Sequence, residues 1–167
     1  LNKRKLVHSL KQMNYIDSLT GLKNRNSYFK RLQELQKSQQ ALGVVYLDIN
    51  GLKKANDTHG HTYGDSLITR ASVLLTKIFK NDVYRIGGDE FVVILKGYDY
   101  EQRAAILEAL DRQVEENIRT KQVIVSTGMA DYRPGQDRKL KEVFERADAL
   151  MYKRKRKLKE MGAVSRE

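Results

Sequence analysis

The sequence predicts a single layered α/β domain, a mixed central β-sheet flanked by helices, with one further helix leading in at the N-terminus. Three observations carry that prediction. Gly43-Val44-Val45-Tyr46-Leu47-Asp48-Ile49 is a nearly unbroken apolar run, as a strand covered on both faces requires. Leu67, Ala71, Leu74, Leu75 and Ile78 recur at helical spacing within residues 63–79. Gly87-Gly88 separates two strand-like runs, 83–86 and 91–95, and reads as a hairpin turn because glycine takes positive φ without steric cost. Alternating elements of this kind enclose a core between layers, and 167 residues are enough to bury one.

The elements follow in order. Residues 1–14 are polar and helix-compatible, with Leu6, Leu10 and Met13 at helical spacing, and 24–40 continue helically through Tyr28, Leu32 and Leu35. The strand at 43–49 passes through Asn50-Gly51 into a short helix, then into the apolar stripe of 63–79. After the hairpin, Asp99 with Gln102 reads as a capping box opening a helix through Leu107, Leu110, Val114 and Ile118. Val123-Ile124-Val125 is a further strand and Pro134-Gly135 a turn. Leu140, Val143, Phe144, Ala147 and Leu150 mark the last helix.

Composition narrows the chemistry. Without cysteine there is neither a disulfide nor a thiolate metal site. The longest apolar run falls well short of the roughly 18 residues a membrane span needs, and no signal peptide is visible. A start at Leu1 rather than Met suggests a piece of a longer protein. The net charge of +11 suits an anionic ligand or nucleic acid. Much of it sits in Lys153-Arg154-Lys155-Arg156-Lys157, which reads as a solvated helix face. No aromatics interleave with those cations, so no nucleic-acid partner is expected.

Two carboxylates, Asp89 and Glu90, follow the glycines, so acids stand beside a bare backbone at a hairpin tip. That suits a divalent metal and nucleotide phosphates; the plain alternative is a solvated turn. Asp48 closes the first strand, backbone N–H groups at Asn50-Gly51 can bind phosphate oxygens, and Lys53 adds a point charge that can follow a leaving pyrophosphate. If the hairpin lies beside that strand, Asp48 and Asp89 converge on one ion; otherwise Asp48 caps the short helix. Asn56 and Asp65 can together read a guanine edge, since the wrong base would leave buried polar groups unpaired. Taken singly they are loop and cap residues, and His61 alone is a surface histidine.

The motifs taken together resemble the GGDEF domains of the diguanylate cyclase family. Gly87-Gly88-Asp89-Glu90-Phe91 spells the family's name, and Asp17-Ser18-Leu19-Thr20-Gly21-Leu22-Lys23-Asn24-Arg25 is similar to its opening D-x-L-T-G-L-x-N-R segment. Asp48, Lys53, Asn56-Asp57, Gly60-His61 and Gly64-Asp65 match the middle. Ser126-Thr127-Gly128-Met129-Ala130 and Ala147-Asp148-Ala149-Leu150-Met151-Tyr152 match the end. The resemblance implies a nucleotidyl-cyclase, palm-like fold over 17–160, preceded by the end of a signalling helix (1–16) and followed by a tail (161–167). It implies condensation of two GTP into cyclic di-GMP across a homodimer, with Mg²⁺ or Mn²⁺. Asp48, Asp89 and the Ile49 carbonyl match the metal ligands, and Lys53 the transition-state stabiliser. Asn56, His61 and Asp65 match the base-binding segment, Gly87 and Gly88 the backbone approach to ribose and phosphate, and Lys155 a triphosphate contact. Asp89 is the first candidate base and Glu90 the second.

The resemblance also implies an upstream sensor and a cytoplasmic active site, with membrane anchoring of a longer protein possible through upstream segments. The competing reading is an inactive domain that binds GTP or cyclic di-GMP as a regulatory module. Departures from the family pattern are few. Asn50 replaces a frequent aspartate, and the ending after Tyr152 leaves Lys159 as a less certain second phosphate contact. Ile78 and Asn81, or Phe79 and Asp82, stand where the inhibitory R-x-x-D is expected. Asp17 and Arg25 are expected to form a charge pair at the entry to the domain.

Overall fold

The computed structural model describes residues 2–38, 40–133, 136–137 and 139–162. In chain order its elements are α1 (Lys3–Met13), β1 (Lys23–Asn24), α2 (Arg25–Gln36), β2 (Gly43–Ile49), α3 (Leu52–His59) and α4 (His61–Ile78). There follow β3 (Val83–Arg85), β4 (Glu90–Leu95), α5 (Gly97–Glu101), α6 (Arg103–Thr120), β5 (Val125–Asp131) and α7 (Leu140–Glu160). One sheet runs in the order β1-β3-β4-β2-β5. β1 pairs with β3 in parallel and the other named pairs are antiparallel, so the sheet is mixed.

β2 is buried along its whole length because it has a strand on either side and helices on both faces. Val45, Leu47 and Ile49 pack with apolar residues of α3, α4 and α6, while Val44 and Tyr46 pack with those of α2 and α7. Each such side chain contributes about 2 kcal/mol on burial. A one-residue slip would exchange these two sets and turn Asp48 toward the wrong core, so packing fixes the register that aims the site.

Several expectations are corrected. The last strand occupies 125–131 rather than 123–125: pairing with β2 begins at Ile49↔Val125. The Val123 and Ile124 carbonyls accept instead from Asn117 Nδ2 and the Asn50 N–H. Polar Ser126-Thr127 disguised the strand. Asp99 makes no capping box; it is buried inside α5 and accepts from the Asn81 N–H at 2.6 Å, bracing the turn before β3. The hairpin tip is three residues, Gly87-Gly88-Asp89, since Arg85 pairs with Phe91 and the Ile86 N–H donates to the Glu90 carbonyl. Neither glycine there has positive φ. β1 is too short for any periodicity to reveal. The Pro134-Gly135 turn and residues 163–167 lie outside the described residues, as do the side chains of Leu10 and Met13. Among the described residues, no helix is long and apolar enough to cross a membrane.

Candidate active site

Antiparallel pairing of β2 with β4 sets Asp48 opposite Glu90, and the Ile49 N–H donates to the Asp89 carbonyl at 2.9 Å. The hairpin tip therefore lies beside the end of β2, close enough for the Asp89 carboxyl group to act on the ionisation of Asp48. Asp48 is 7% exposed; its Oδ1 has no hydrogen-bond partner, and its Oδ2 lies 3.3 Å from Lys155 Nζ of α7. Burial, then the neighbouring Asp89 carboxyl group, raise Asp48 well above the usual carboxylate range, with Lys155 acting in the opposite direction.

An orphaned acceptor and two crowded carboxyl groups are both relieved by a divalent cation. Two carboxylates plus the Ile49 carbonyl fit Mg²⁺, which takes its remaining ligands from water and substrate phosphates. Among the described residues no three His, Cys, Asp or Glu side chains form a complete metal cage.

Ile49, Lys53, Asp89 and Lys155 share the walls of one cavity of about 310 Å³. Gly51, at φ 72°, makes the left-handed corner that launches α3 and presents Lys53 on its first turn. Asp48 does not cap α3; Gly51 is the N-cap and no side chain serves it. The Asn50 N–H donates to the Ile124 carbonyl, so it is not free for phosphate as expected.

Asn56 presents a buried Oδ1 with no hydrogen-bond partner, and a Cβ at Gly64 would fall 1.6 Å from that oxygen. Gly64 thus gives the Asn56 amide its place between α3 and α4. Asp65 and His61 are exposed near the start of α4. The ring packed on Tyr63 belongs to His59, not His61. Gly87 and Gly88 line a separate depression with Asp17, Arg25 and Arg85. A Cβ at Gly88 would meet nothing, whereas one at Gly87 would press on Glu90 Oε2 at 3.1 Å.

The charge pair at the domain entry is Asp17 with Arg85, not with Arg25. Arg85 Nη1 donates to both Asp17 oxygens at 2.9 and 3.1 Å, and Nη2 donates to the Gly88 carbonyl at 3.0 Å. Parallel pairing of β1 with β3 brings Arg85 to the Asp17 turn, while Arg25 stacks over Phe29. Arg85 therefore ties the hairpin tip to the entry turn, a role that residues so far apart in sequence did not announce. Tyr46 was also missed: it is buried near Glu90, and burial, then Glu90, raise its pKa. The basic run of α7 is not wholly solvated. Arg154 lies 3.8 Å from Asp111 and 3.6 Å from Glu115, and Lys155 turns toward Asp48.

Burial pushes Asp17 up, but its bonds from Thr20 and Arg85 outweigh that and leave it below its ordinary value. Its contribution to stability is present above the unfolded carboxylate pKa near 4 and fades as pH falls through the lower folded value. Asp17→Asn should lower Tm at pH 7 by about 3 °C, for about 1 kcal/mol. It should also flatten the acid limb below pH 4, and thermal melts across pH check both.

Residues 14–161 match the family model described as diguanylate cyclase, GGDEF domain. The chain belongs to the GGDEF family. This GGDEF domain is similar to the coiled coil and GGDEF domain of DgcB from Caulobacter crescentus in complex with c-di-GMP. The two share 27% identity over 92% of this chain and 86% of that one, with a TM-score of 0.77. It is also similar to the diguanylate cyclase SiaD of Pseudomonas aeruginosa, solved with its activator SiaC. That match has 29% identity over 92% of this chain and 63% of SiaD, with a TM-score of 0.73. An uncharacterized membrane protein of Staphylococcus aureus (strain USA300) is 30% identical over 88% of this chain and 45% of its own length. The chain thus spans about half the length of the curated relatives it matches.

Proposed function

We propose that this GGDEF domain is a diguanylate cyclase, joining two GTP into cyclic di-GMP with release of two pyrophosphates. The observation that carries the reading is the convergence of Asp48, at the end of β2, and Asp89, at the hairpin tip, one Asp48 oxygen unpartnered, beside Lys155 and in the same pocket region as Lys53. Asp48, Asp89 and the Ile49 carbonyl would hold Mg²⁺ or Mn²⁺, which when bound acidifies the attacking hydroxyl and offsets phosphate charge.

The chain's own groups do the rest. Asn56 and Asp65 bind the guanine edge and fix the base. Gly88, with open space where a Cβ would stand, lets the backbone approach the nucleotide. Lys155 exchanges the Asp48 carboxylate for the triphosphate. Asp89 accepts the 3′-hydroxyl proton, with Glu90 as the alternative base. The 3′-oxygen bonds to the α-phosphorus of the other GTP, the bond to the β-phosphate bridge breaks, and Lys53 stabilises the charge that passes to pyrophosphate. One domain holds one GTP, so two copies must face each other. α1, with exposed Leu6 and Val7, would bring them together under an upstream sensor. The relatives named as membrane proteins support an anchored full-length protein with this domain in the cytoplasm.

Incubation with GTP and Mg²⁺, and mass analysis of the product, tests the reading: cyclic di-GMP is expected. GTP bound tightly without turnover, at concentrations where the protein is dimeric, would assign the regulatory-module reading instead. Gly64→Ala should displace the Asn56 amide and raise KM for GTP about tenfold with little change in Tm; an unchanged KM would remove Asn56 from base recognition. Asn81 is engaged by Asp99 and Lys96, and no arginine stands at the R-x-x-D position. Added cyclic di-GMP should therefore leave turnover unchanged, and submicromolar inhibition would contradict this.

A further inference from the structure

On the flank of α3 away from Asn56 lies a second cavity, of about 340 Å³, lined chiefly by Asn50, Lys54, His59, Tyr63, Leu67 and Lys121. It adjoins the candidate active site across α3: Gly51 and Lys54 line both, Lys53 and Asp57 only the active site, and Ala55 and Thr58 only the second cavity. Its walls carry two lysines and a histidine but no acidic residue. Ala55 and Leu67 supply apolar surface, and the Tyr63 ring packs on that of His59 at 4.8 Å between centroids.

Two further observations point to a ligand. Asn50 is 3% exposed and its Oδ1 is held by Ser126 Oγ, yet its Nδ2 is buried with no hydrogen-bond partner. An unmet buried donor costs free energy that an acceptor in the cavity would recover. Lys121, at the C-cap of α6, is the one non-glycine among the described residues with positive φ, at 60°. Glycine serves that position without the cost of about 1 kcal/mol that a side chain incurs. A lysine there instead puts a cationic residue in the cavity wall.

We propose that this cavity binds a small phosphomonoester with an aromatic body. Lys54 and Lys121 neutralise the phosphate, the Asn50 amide donates to one of its oxygens, and the flat body lies against Leu67 and Tyr63. Neither the metal site nor the cyclase reaction enters the inference.

The test is a chemical-shift titration of isotope-labelled protein, without metal or GTP, using phenyl phosphate as the probe. Saturable shifts are expected at the Asn50 side-chain amide and at the backbone amides of Lys54, Thr58 and Lys121. Inorganic phosphate and phenol should each bind at least about tenfold more weakly, because each lacks half of the contacts. Lys121→Gly, which suits the left-handed backbone, should weaken binding about tenfold. Thr58→Glu, an exposed substitution that places a carboxylate in the wall, should abolish it. Absence of saturable binding, shifts confined to Lys53, Asn56 and Lys155, or affinity unmoved by both variants would each overturn the proposal.

Discussion

Asp48→Asn is expected to cut cyclic di-GMP formation at least a hundredfold, roughly the scale of losing one positioned charge at a reaction centre, while the metal-free protein melts no lower than the wild type. The two halves of that result come from one cause. Asp48 is buried against Asp89, and its carboxyl is raised because the charged form is poorly solvated there. A neutral isostere removes that repulsion and keeps the volume, so the fold gains or holds. The same change deletes half of the carboxylate pair that would grip a divalent ion. Mg²⁺ should accordingly raise the Tm of the wild type but not of Asp48→Asn. Turnover assays and melts with and without Mg²⁺ read both halves. A variant that retains wild-type turnover would remove Asp48 from the chemistry.

Gly128→Ala is expected to lower Tm by roughly 10 °C, for a cost of about 3 kcal/mol. A Cβ at Gly128 in β5 would lie 2.1 Å from the Ala147 carbonyl oxygen and 2.2 Å from the Met151 nitrogen, both backbone atoms of α7. No rotamer relieves a clash with backbone, so α7 must lift from the sheet. Lys155 lies one helical turn beyond Met151, and the lift withdraws its ammonium from Asp48. Activity should fall along with stability. Gly88→Ala is the control, since its added methyl meets nothing and its Tm should hardly move. Equal melting of the two variants would show that α7 does not pack on β5 this closely.

Much of the architecture was legible because its signals are local. The run at 43–49 is the strand that the sequence outlines, and the stripe from Leu67 to Ile78 lies in α4 within two residues of its predicted start. The pairing of β4 with β2 was expected only conditionally, and it is this pairing that joins Asp48 to Asp89. Misreadings fall where a local pattern was overruled by a distant partner. Asp99 looked like a helix cap and instead holds the Asn81 N–H. Asp17 looked like a partner for Arg25 and is bound by Arg85, 68 residues away. Gly87-Gly88 looked like a positive-φ turn, whereas their use is space: for Glu90 beside Gly87, and for open backbone at Gly88.

The sequence by itself determined the layered class, the principal strands and helices, and the identity of the acids and amides that could serve a nucleotide, because periodicity and residue chemistry are written in neighbouring positions. Only the tertiary structure decided which of them meet. Asp48 with Asp89 and Lys155, Arg85 with Asp17 and Gly88, and Gly128 beneath α7 are contacts between segments far apart in the chain. Their existence depends on strand register and close packing, which arise from the whole core at once rather than from any one stretch of it.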